Sequence, residues 1–371
     1  MRILINAVSA RAGGGISYLL HLLEMLPAQA PEMQFLAAIP DIDLPSEFKP
    51  LPNLEVRTIP QASGNVFKRY FWENTELIKL CHDWNADLLF CVANVIPLRK
   101  PDIPVVVMVQ NVAPLTAKVI KMLWRFEPLK KSLQMLLLKA LSLYAIRNAD
   151  QVISLSEATS RLLGKFSPQC KSEILYHGIS SNFNPLAPRP EAAGNEPYFL
   201  FVSNLYVYKG LEFIVEALAC KPELPKVFIA GHAYDRDYVE WVKQKALKAG
   251  VAERMIYLDN IPYNELPGWY ANATAMVYSS WCENCPNILL EAMACGCPVI
   301  AMNTGPMPEI CGEAGYFARP FDGKALADAM QNALKNSGSK SEAAKKRAAE
   351  FTWQKAMQRH KEIFSKFGQK K

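Results

Sequence analysis

Short apolar runs rich in Val, Ile, Leu and Phe alternate along this chain with longer stretches in which apolar residues recur at helical spacing. Six runs in the first half read as strands: 2–7, 34–39, 87–91, 105–109, 151–155 and 173–175. A glycine triplet follows the first of them and opens a helix over 16–26. The pattern restarts at 198–202. Strands at 226–230, 255–258, 275–278 and 298–302 follow, with helices at 211–219, at 238–250 and from Pro286 onward. β-Rich runs separated by helices indicate parallel sheets, so the fold class is α/β with two doubly wound, Rossmann-like domains. Between the halves, 184–197 carries four prolines and no periodicity, as a linker does. The expected division is 1–185, a linker at 186–197, a second domain at 198–350 and a terminal helix at 351–371. Ligands of doubly wound sheets sit outside the carboxyl ends of the strands, which places the expected active site in a cleft between the domains.

A length of 371 residues gives each domain enough chain to bury its own core. Half of the residues are apolar, yet no uninterrupted run approaches the length needed to span a bilayer. The opening Met1-Arg2-Ile3-Leu4-Ile5-Asn6 turns polar too soon for a secretory signal. The nine cysteines are scattered and odd in number, which favours reduced thiols in the cytoplasm over a disulfide framework. Placement of charge says more than its total of +6. Segment 116–148 holds Lys118, Lys121, Arg125, Lys130, Lys131, Lys139 and Arg147 against one acid, Glu127, among leucines and Trp124. Such a segment suits an anionic membrane face. No aromatic-interleaved basic ribbon accompanies the charge, which argues against nucleic acid.

Candidate chemistry concentrates in SSWCENCPNILLEAMACGCPVIAMNTG. Glu283 and Glu291 stand eight residues apart, the first in a polar loop and the second inside an otherwise apolar helix. A carboxylate there is costly to bury unless something polar meets it. Pro286 suits the first helical position and Gly296 the end. The helix start offers free N–H groups and a positive dipole end, a seat for phosphate. Lys209-Gly210 follows the first strand of the second half, where an ammonium can meet a diphosphate. Gly13-Gly14-Gly15 occupies the equivalent loop of the first half, without the GxGxxG spacing of a dinucleotide site. Cys282, Cys285, Cys295 and Cys297 have zinc-like spacing. They flank a helix of about 15 Å rise, too long for one metal to bridge. Asp41-Ile42-Asp43 and Asp235-Arg236-Asp237 match a DxD metal pair, but solvated loop carboxylates account for them. No metal site is expected.

With these residues assembled, nearly the whole chain resembles the family-four retaining glycosyltransferases of the GT-B fold. Glu283-x7-Glu291 is similar to the family's paired-glutamate motif, and Asn303-Thr304-Gly305-Pro306-Met307-Pro308-Glu309 resembles the loop beyond it. The resemblance implies a terminal helix that crosses back onto the first domain and a nucleoside diphosphate sugar as co-substrate, with no cofactor or metal. It implies that Glu283 meets the donor sugar and Glu291 the ribose diol. Lys209 would neutralise the diphosphate, with backbone groups around Asn287, Ile288 and Leu289 holding it. Gly13, Gly14 and Gly15 would close over the donor, and the base would lie near Ile261. Two positions leave the pattern. Asn204 stands where the family often has a second diphosphate cation, and Gln110-Asn111 replaces His-Asp, leaving Gln110 as a possible sugar contact that cannot carry a proton. The resemblance implies transfer of a hexose to an acceptor hydroxyl with retention of the anomeric configuration. The basic apolar segment 116–148, in the domain expected to hold the acceptor, points to a lipid-linked or polysaccharide acceptor at the inner membrane face, in lipopolysaccharide, capsule or exopolysaccharide assembly. Rival readings are a nucleotide-sugar epimerase or phosphorylase, and a non-catalytic sugar-nucleotide-binding partner protein.

Overall fold

The computed structural model describes residues 1–11, 14–63, 66–170 and 172–368. It contains two all-parallel sheets. The first joins β1 (Arg2–Asn6), β2 (Gln34–Ile39), β3 (Leu54–Thr58), β4 (Leu88–Cys91), β5 (Val105–Val109), β6 (Gln151–Ser154) and β7 (Ser172–Ile174). Their order is β3-β2-β1-β4-β5-β6-β7. The second joins β8 (Phe199–Val202), β9 (Val227–Ala230), β10 (Met255–Leu258), β11 (Ala275–Tyr278), β12 (Val299–Met302) and β13 (Gly315–Ala318) in the order β10-β9-β8-β11-β12-β13. Both orders run outward in two directions from a first strand, as in a Rossmann-like fold. Central strands are buried along their whole length, for example Val105 to Val109 and Val299 to Met302. This is why they read as continuous apolar runs rather than alternating ones.

Two strands escaped the sequence pattern. β3 pairs only with β2 at the sheet edge, and only Leu54 of its five residues is buried. β13 is four residues long and begins at a glycine. Neither presents an apolar run long enough to register.

The chain forms two compact units, each with its own sheet. Unit 1 comprises Met1–Leu115, Leu136–His177 and Trp353–Lys371; unit 2 comprises Thr116–Met135 and Gly178–Thr352. This division by packing differs from the expected boundary at 185 in two places. Residues 178–185 belong with unit 2, and so does Thr116–Met135, expected in the first domain. The helix Ala117–Phe126 buries Val119, Ile120, Leu123 and Phe126. Phe126 packs edge-on against Tyr238 at 5.6 Å and beside Trp241 at 5.0 Å. Pro128 separates this helix from Leu129–Asn148, because proline cannot continue the i→i−4 ladder.

The proline-rich linker is also packed rather than free. Asn272 Nδ2 donates to Ala187 O at 3.1 Å, and Arg189 donates to Gly194 O and Glu196 O at 2.6 Å each.

The terminal helix Trp353–Gly368 packs on the helix Gly14–Gln29 within unit 1. Trp353 stacks on His21 at 4.3 Å, and His360 Nε2 meets Tyr18 Oη at 2.7 Å. Burial pushes the His360 imidazole down to about 3, so it stays neutral at physiological pH.

Gly231, at the end of β9, shows how closely the second unit's loops approach. Its φ is +135°, and a Cβ built there would lie 1.9 Å from Ser203 O, at the end of β8. Gly231→Ala is expected to cost about 3 kcal/mol or more in denaturant unfolding, through backbone strain and overpacking together. Gly250, with φ +67° and open space around its Cβ, is the control. Gly250→Ala should cost only about 1 kcal/mol.

Candidate functional site

The order of the second sheet reverses between β8 and β11, which are hydrogen-bonded neighbours. Loops leaving two such strands diverge onto opposite faces and open a crevice, the usual ligand position of this architecture. Lys209 lies on the loop after β8, and Glu283 on the loop after β11. The topology therefore brings them together across 74 residues of sequence.

Lys209 Nζ donates to Glu283 Oε1 at 2.6 Å, with side-chain exposures of only 8% and 12%. The same carboxylate oxygen accepts from Tyr278 Oη at 2.6 Å and from Ser280 Oγ at 2.5 Å. Lys209 Nζ also donates to Tyr278 Oη at 2.9 Å. Burial, and after it the adjacent Glu283 carboxylate, pushes the Tyr278 phenol well up, so it remains a donor. Three donors thus converge on Oε1, and among the described residues none donates to Oε2. The carboxylate is fixed through one oxygen and has the other available.

Backbone contacts lock the two loops. Ser279 Oγ donates to Lys209 O at 2.9 Å, and Trp281 N donates to Tyr208 O at 3.1 Å. Gly210 has φ +69°, and a Cβ there would lie 2.4 Å from Ser279 O. Only glycine fits this crossing.

The helix over Asn287–Ala294 starts one residue later than expected. Pro286 is its N-cap rather than its first residue, with φ −75° and ψ 100°. Preset φ serves both positions, so sequence alone did not separate them. Pro286 O accepts from Leu289 N at 3.0 Å, so that amide, expected to face a diphosphate, already has a partner. Gly296, at φ +73°, closes the helix.

Glu291 is 8% exposed. Tyr263 Oη donates to its Oε1 at 3.4 Å, and Tyr270 Oη to its Oε2 at 3.5 Å. Both bonds are long, and burial outweighs them: the carboxyl is pushed up to about 7. Ile261 is half-buried on the loop leading to Tyr263. Asn204 is half-buried in the loop after β8, its backbone carbonyl accepting from Tyr206 N at 3.0 Å.

In unit 1, Gly14 and Gly15 open the helix after β1, while Gly13 lies outside the described residues. A Cβ at Gly15 would lie 3.7 Å from Gln110 Oε1. The Gln110 N–H donates to Asn94 Oδ1 at 2.9 Å.

Sequence reasoning missed Tyr278, Ser280, Tyr263 and Tyr270, the hydroxyls that orient the two carboxylates. Tyr278 passed as a strand residue, and Tyr263 and Tyr270 come from a different loop and helix.

Of the two DxD pairs, Asp235 is corrected. It is not a solvated loop carboxylate but almost fully buried, accepting from Val207 N at 2.8 Å and pairing with Lys131 Nζ at 3.1 Å. Among the described residues, no three His, Cys, Asp or Glu side chains gather as a metal site. The cysteines flanking the Asn287–Ala294 helix are buried thiols outside any disulfide, and burial pushes the Cys282 and Cys295 thiols up to about 12. Thiols of this kind are inert packing groups.

Two family models account for most of the chain: Glycosyltransferase Family 4 over residues 12–183 and Glycosyl transferases group 1 over 184–351. The chain belongs to the family-four glycosyltransferases of GT-B fold. It is 28% identical over 165 residues to O-antigen chain mannosyltransferase B of Escherichia coli, covering 42% of each chain. It is 30% identical over 214 residues to a GDP-mannose-dependent alpha-(1-6)-phosphatidylinositol monomannoside mannosyltransferase of Mycolicibacterium smegmatis, covering 50% of this chain and 53% of that one. The chain spans about half the length of the curated relatives it matches. Sucrose-phosphate synthase from Thermosynechococcus elongatus superposes with a TM-score of 0.75 at 19% identity, over 99% of each chain, a likeness of fold.

The raised Glu291 carboxyl gives a stability signature. Its native value lies above the unfolded one, near 4.5, so the native state holds the proton through the window between 4.5 and about 7. Stability from this group is complete below that window and lost as pH rises through it. Glu291→Gln should therefore be more stable than the parent at pH 8, by on the order of 3 kcal/mol. The difference should vanish near pH 4; urea unfolding at both values measures it.

Proposed function

We propose that this protein is a retaining glycosyltransferase that moves a hexose from a nucleoside diphosphate sugar to a hydroxyl of a lipid-linked or polysaccharide acceptor. The observation that carries this reading is the Glu283 carboxylate, held through Oε1 by Lys209, Tyr278 and Ser280 and open at Oε2. An acceptor-only group fixed in this way suits the hydroxyls of a donor sugar. Glu291, with two long bonds and unused acceptor capacity, suits a ribose diol. The names of the mannosyltransferase relatives make GDP-mannose the first donor to test.

In the proposed reaction the anomeric C–O bond breaks as the nucleoside diphosphate leaves, through an oxocarbenium-like transition state. The acceptor oxygen bonds to the anomeric carbon on the same face, and its proton passes to the leaving phosphate oxygen. The chief requirement is stabilisation of negative charge on the leaving group. Lys209 and the amides at the Asn287–Ala294 helix start would serve that need, and the residues proposed require no metal. Lys209 is engaged by Glu283, so a donor must draw this ammonium toward its phosphates without unpairing it fully. Asn204 adds no cation there. By the family resemblance, Gln110 and the loop Gly13, Gly14 and Gly15 are proposed as contacts of the sugar and acceptor.

For the acceptor, the basic apolar segment supports a place at the inner face of the cell membrane, with the protein otherwise cytoplasmic. No helix among the described residues is long and apolar enough to cross a membrane. The helix Leu129–Asn148 exposes Leu129, Leu133, Leu136 and Leu137, which lie on one face, and Trp124 is exposed on the helix before it. Leucines and a tryptophan beside lysines form an interfacial surface. Two of the basic residues serve elsewhere. Lys118 lies over the Phe321 and Trp281 rings, and Lys131 pairs with Glu127 and Asp235. Lys121 and Lys130 are the exposed lysines that remain for lipid headgroups.

Glu283→Gln retains the side chain's size and an acceptor for Lys209, whereas alanine would leave a buried ammonium unpaired. Transfer from the donor identified by thermal shift should fall by on the order of 10²–10³-fold when assayed below the variant's melting temperature, which the uncompensated Lys209 charge should lower. Full activity in this variant would remove Glu283 from the mechanism. Replacing Lys121 and Lys130 by Gln, together with Leu133→Gln, should cut sedimentation with phosphatidylglycerol vesicles. Unchanged partition would exclude this face as the membrane contact.

A further inference from the structure

Beside Lys209, outside the set of residues assigned above, unit 2 carries a cluster of aromatic rings drawn from two loops. Tyr206 stacks on Tyr208 at 5.4 Å with 6° between planes, and on Tyr234 at 5.0 Å with 18°. His232 meets Tyr234 at 4.8 Å and 80°, and both are exposed, Tyr234 by 40%. Two exposed rings at nearly a right angle make a corner with a floor and a wall. None of the three tyrosine hydroxyls hydrogen-bonds another described residue. The corner connects to the proposed chemistry through Tyr208, whose ring lies 5.2 Å from Lys209 Nζ.

Its support is built, not incidental. Leu205 N donates to His232 O at 2.8 Å, and Asp235 N to Leu205 O at 3.2 Å, stitching the loop after β8 to the loop after β9. The buried Asp235 carboxylate accepts from Val207 N and from Lys131, which also donates to Tyr234 O at 3.0 Å. Rings held by locked backbone lose little entropy when a ligand settles on them. An aromatic face beside unengaged hydroxyls suits a ligand with an apolar C–H face and a polar rim. A pyranose ring has that form.

We propose that Tyr234 and His232, backed by Tyr206, form a binding corner for a pyranose of the acceptor, so that the acceptor ends in a glycan rather than a bare lipid hydroxyl. This rests on the glycosyltransferase reading of Lys209 and Glu283. A nucleobase could also stack on tyrosine, but Glu291 with Tyr263 is the end of the site assigned to the nucleoside.

Saturation-transfer difference NMR on the full chain tests the corner. The probes are methyl α-mannopyranoside, methyl α-glucopyranoside and methyl α-galactopyranoside, with UMP, GMP and AMP run separately. At least one glycoside should show transfer to its ring protons. That signal should fall roughly tenfold in Tyr234→Ala and persist in Tyr234→Phe, each variant melting as the parent does. Absence of signal from every glycoside, or an equal signal in Tyr234→Ala, overturns the proposal. Loss of nucleotide signal alongside glycoside signal in Tyr234→Ala also overturns it, in favour of a base platform. Thermal shift with UDP-, GDP-, ADP- and dTDP-sugars separates the two readings. Glycoside signal without any nucleotide-sugar shift removes the reading of Lys209 and Glu283 and leaves the corner standing. Nucleotide-sugar shift without glycoside signal removes the corner alone.

Discussion

The Lys209–Glu283 ion pair is the interaction around which the second unit is organised. Two charges that are nine-tenths buried are tolerable only if each completes the other's hydrogen bonding. Tyr278 and Ser280 supply the remaining donors, and the glycine at 210 lets the two loops approach closely enough for the pair to form. Such a pair contributes little to stability against an apolar alternative of the same volume. Its value is positional. It fixes one carboxylate oxygen, leaves the other available, and holds an ammonium beside it at the point where the sheet order reverses.

Glu291 presents the opposite situation. It has no cation, and its two tyrosine partners are at the limit of hydrogen-bond distance. The result is a carboxyl whose proton comes off near neutrality. Two glutamates eight residues apart therefore occupy distinct electrostatic environments, one compensated and one not. A ligand hydroxyl meeting Glu291 would relieve a cost already present in the free protein.

Most of the fold was legible because its central strands are buried on both faces and so read as unbroken apolar runs. β2, β5 and β11 were anticipated to the residue, and so was the edge strand β10, whose Met255–Leu258 run is apolar although only Met255 is fully buried. β3 was not, because an exposed edge strand such as Leu54–Thr58 carries no such signal. Within the site, Glu283, Glu291 and Lys209 stood out because charge in an apolar context is conspicuous in sequence. Tyr278, Tyr263 and Tyr270 did not, since a tyrosine packing its ring and a tyrosine aiming its hydroxyl read alike. Asp235 was misjudged for a related reason. Its burial depends on Lys131, more than a hundred residues earlier, and no local pattern encodes that partner.

The place of Thr116–Met135 bears on how this chain can be divided. The order of residues and the order of packing disagree: a helix encoded in the first half covers Tyr238, Trp241 and Phe321, all encoded in the second. Cutting at the proline-rich junction would thus uncover aromatic surface on the downstream fragment and strip Asp235 of its cation. Hybrids made by joining halves of related transferases at that junction would pair one parent's helix with the other parent's rings. The modular seam visible in the sequence is not a seam in the packing, and recombination that respects the packing must carry Thr116–Met135 along with the second sheet.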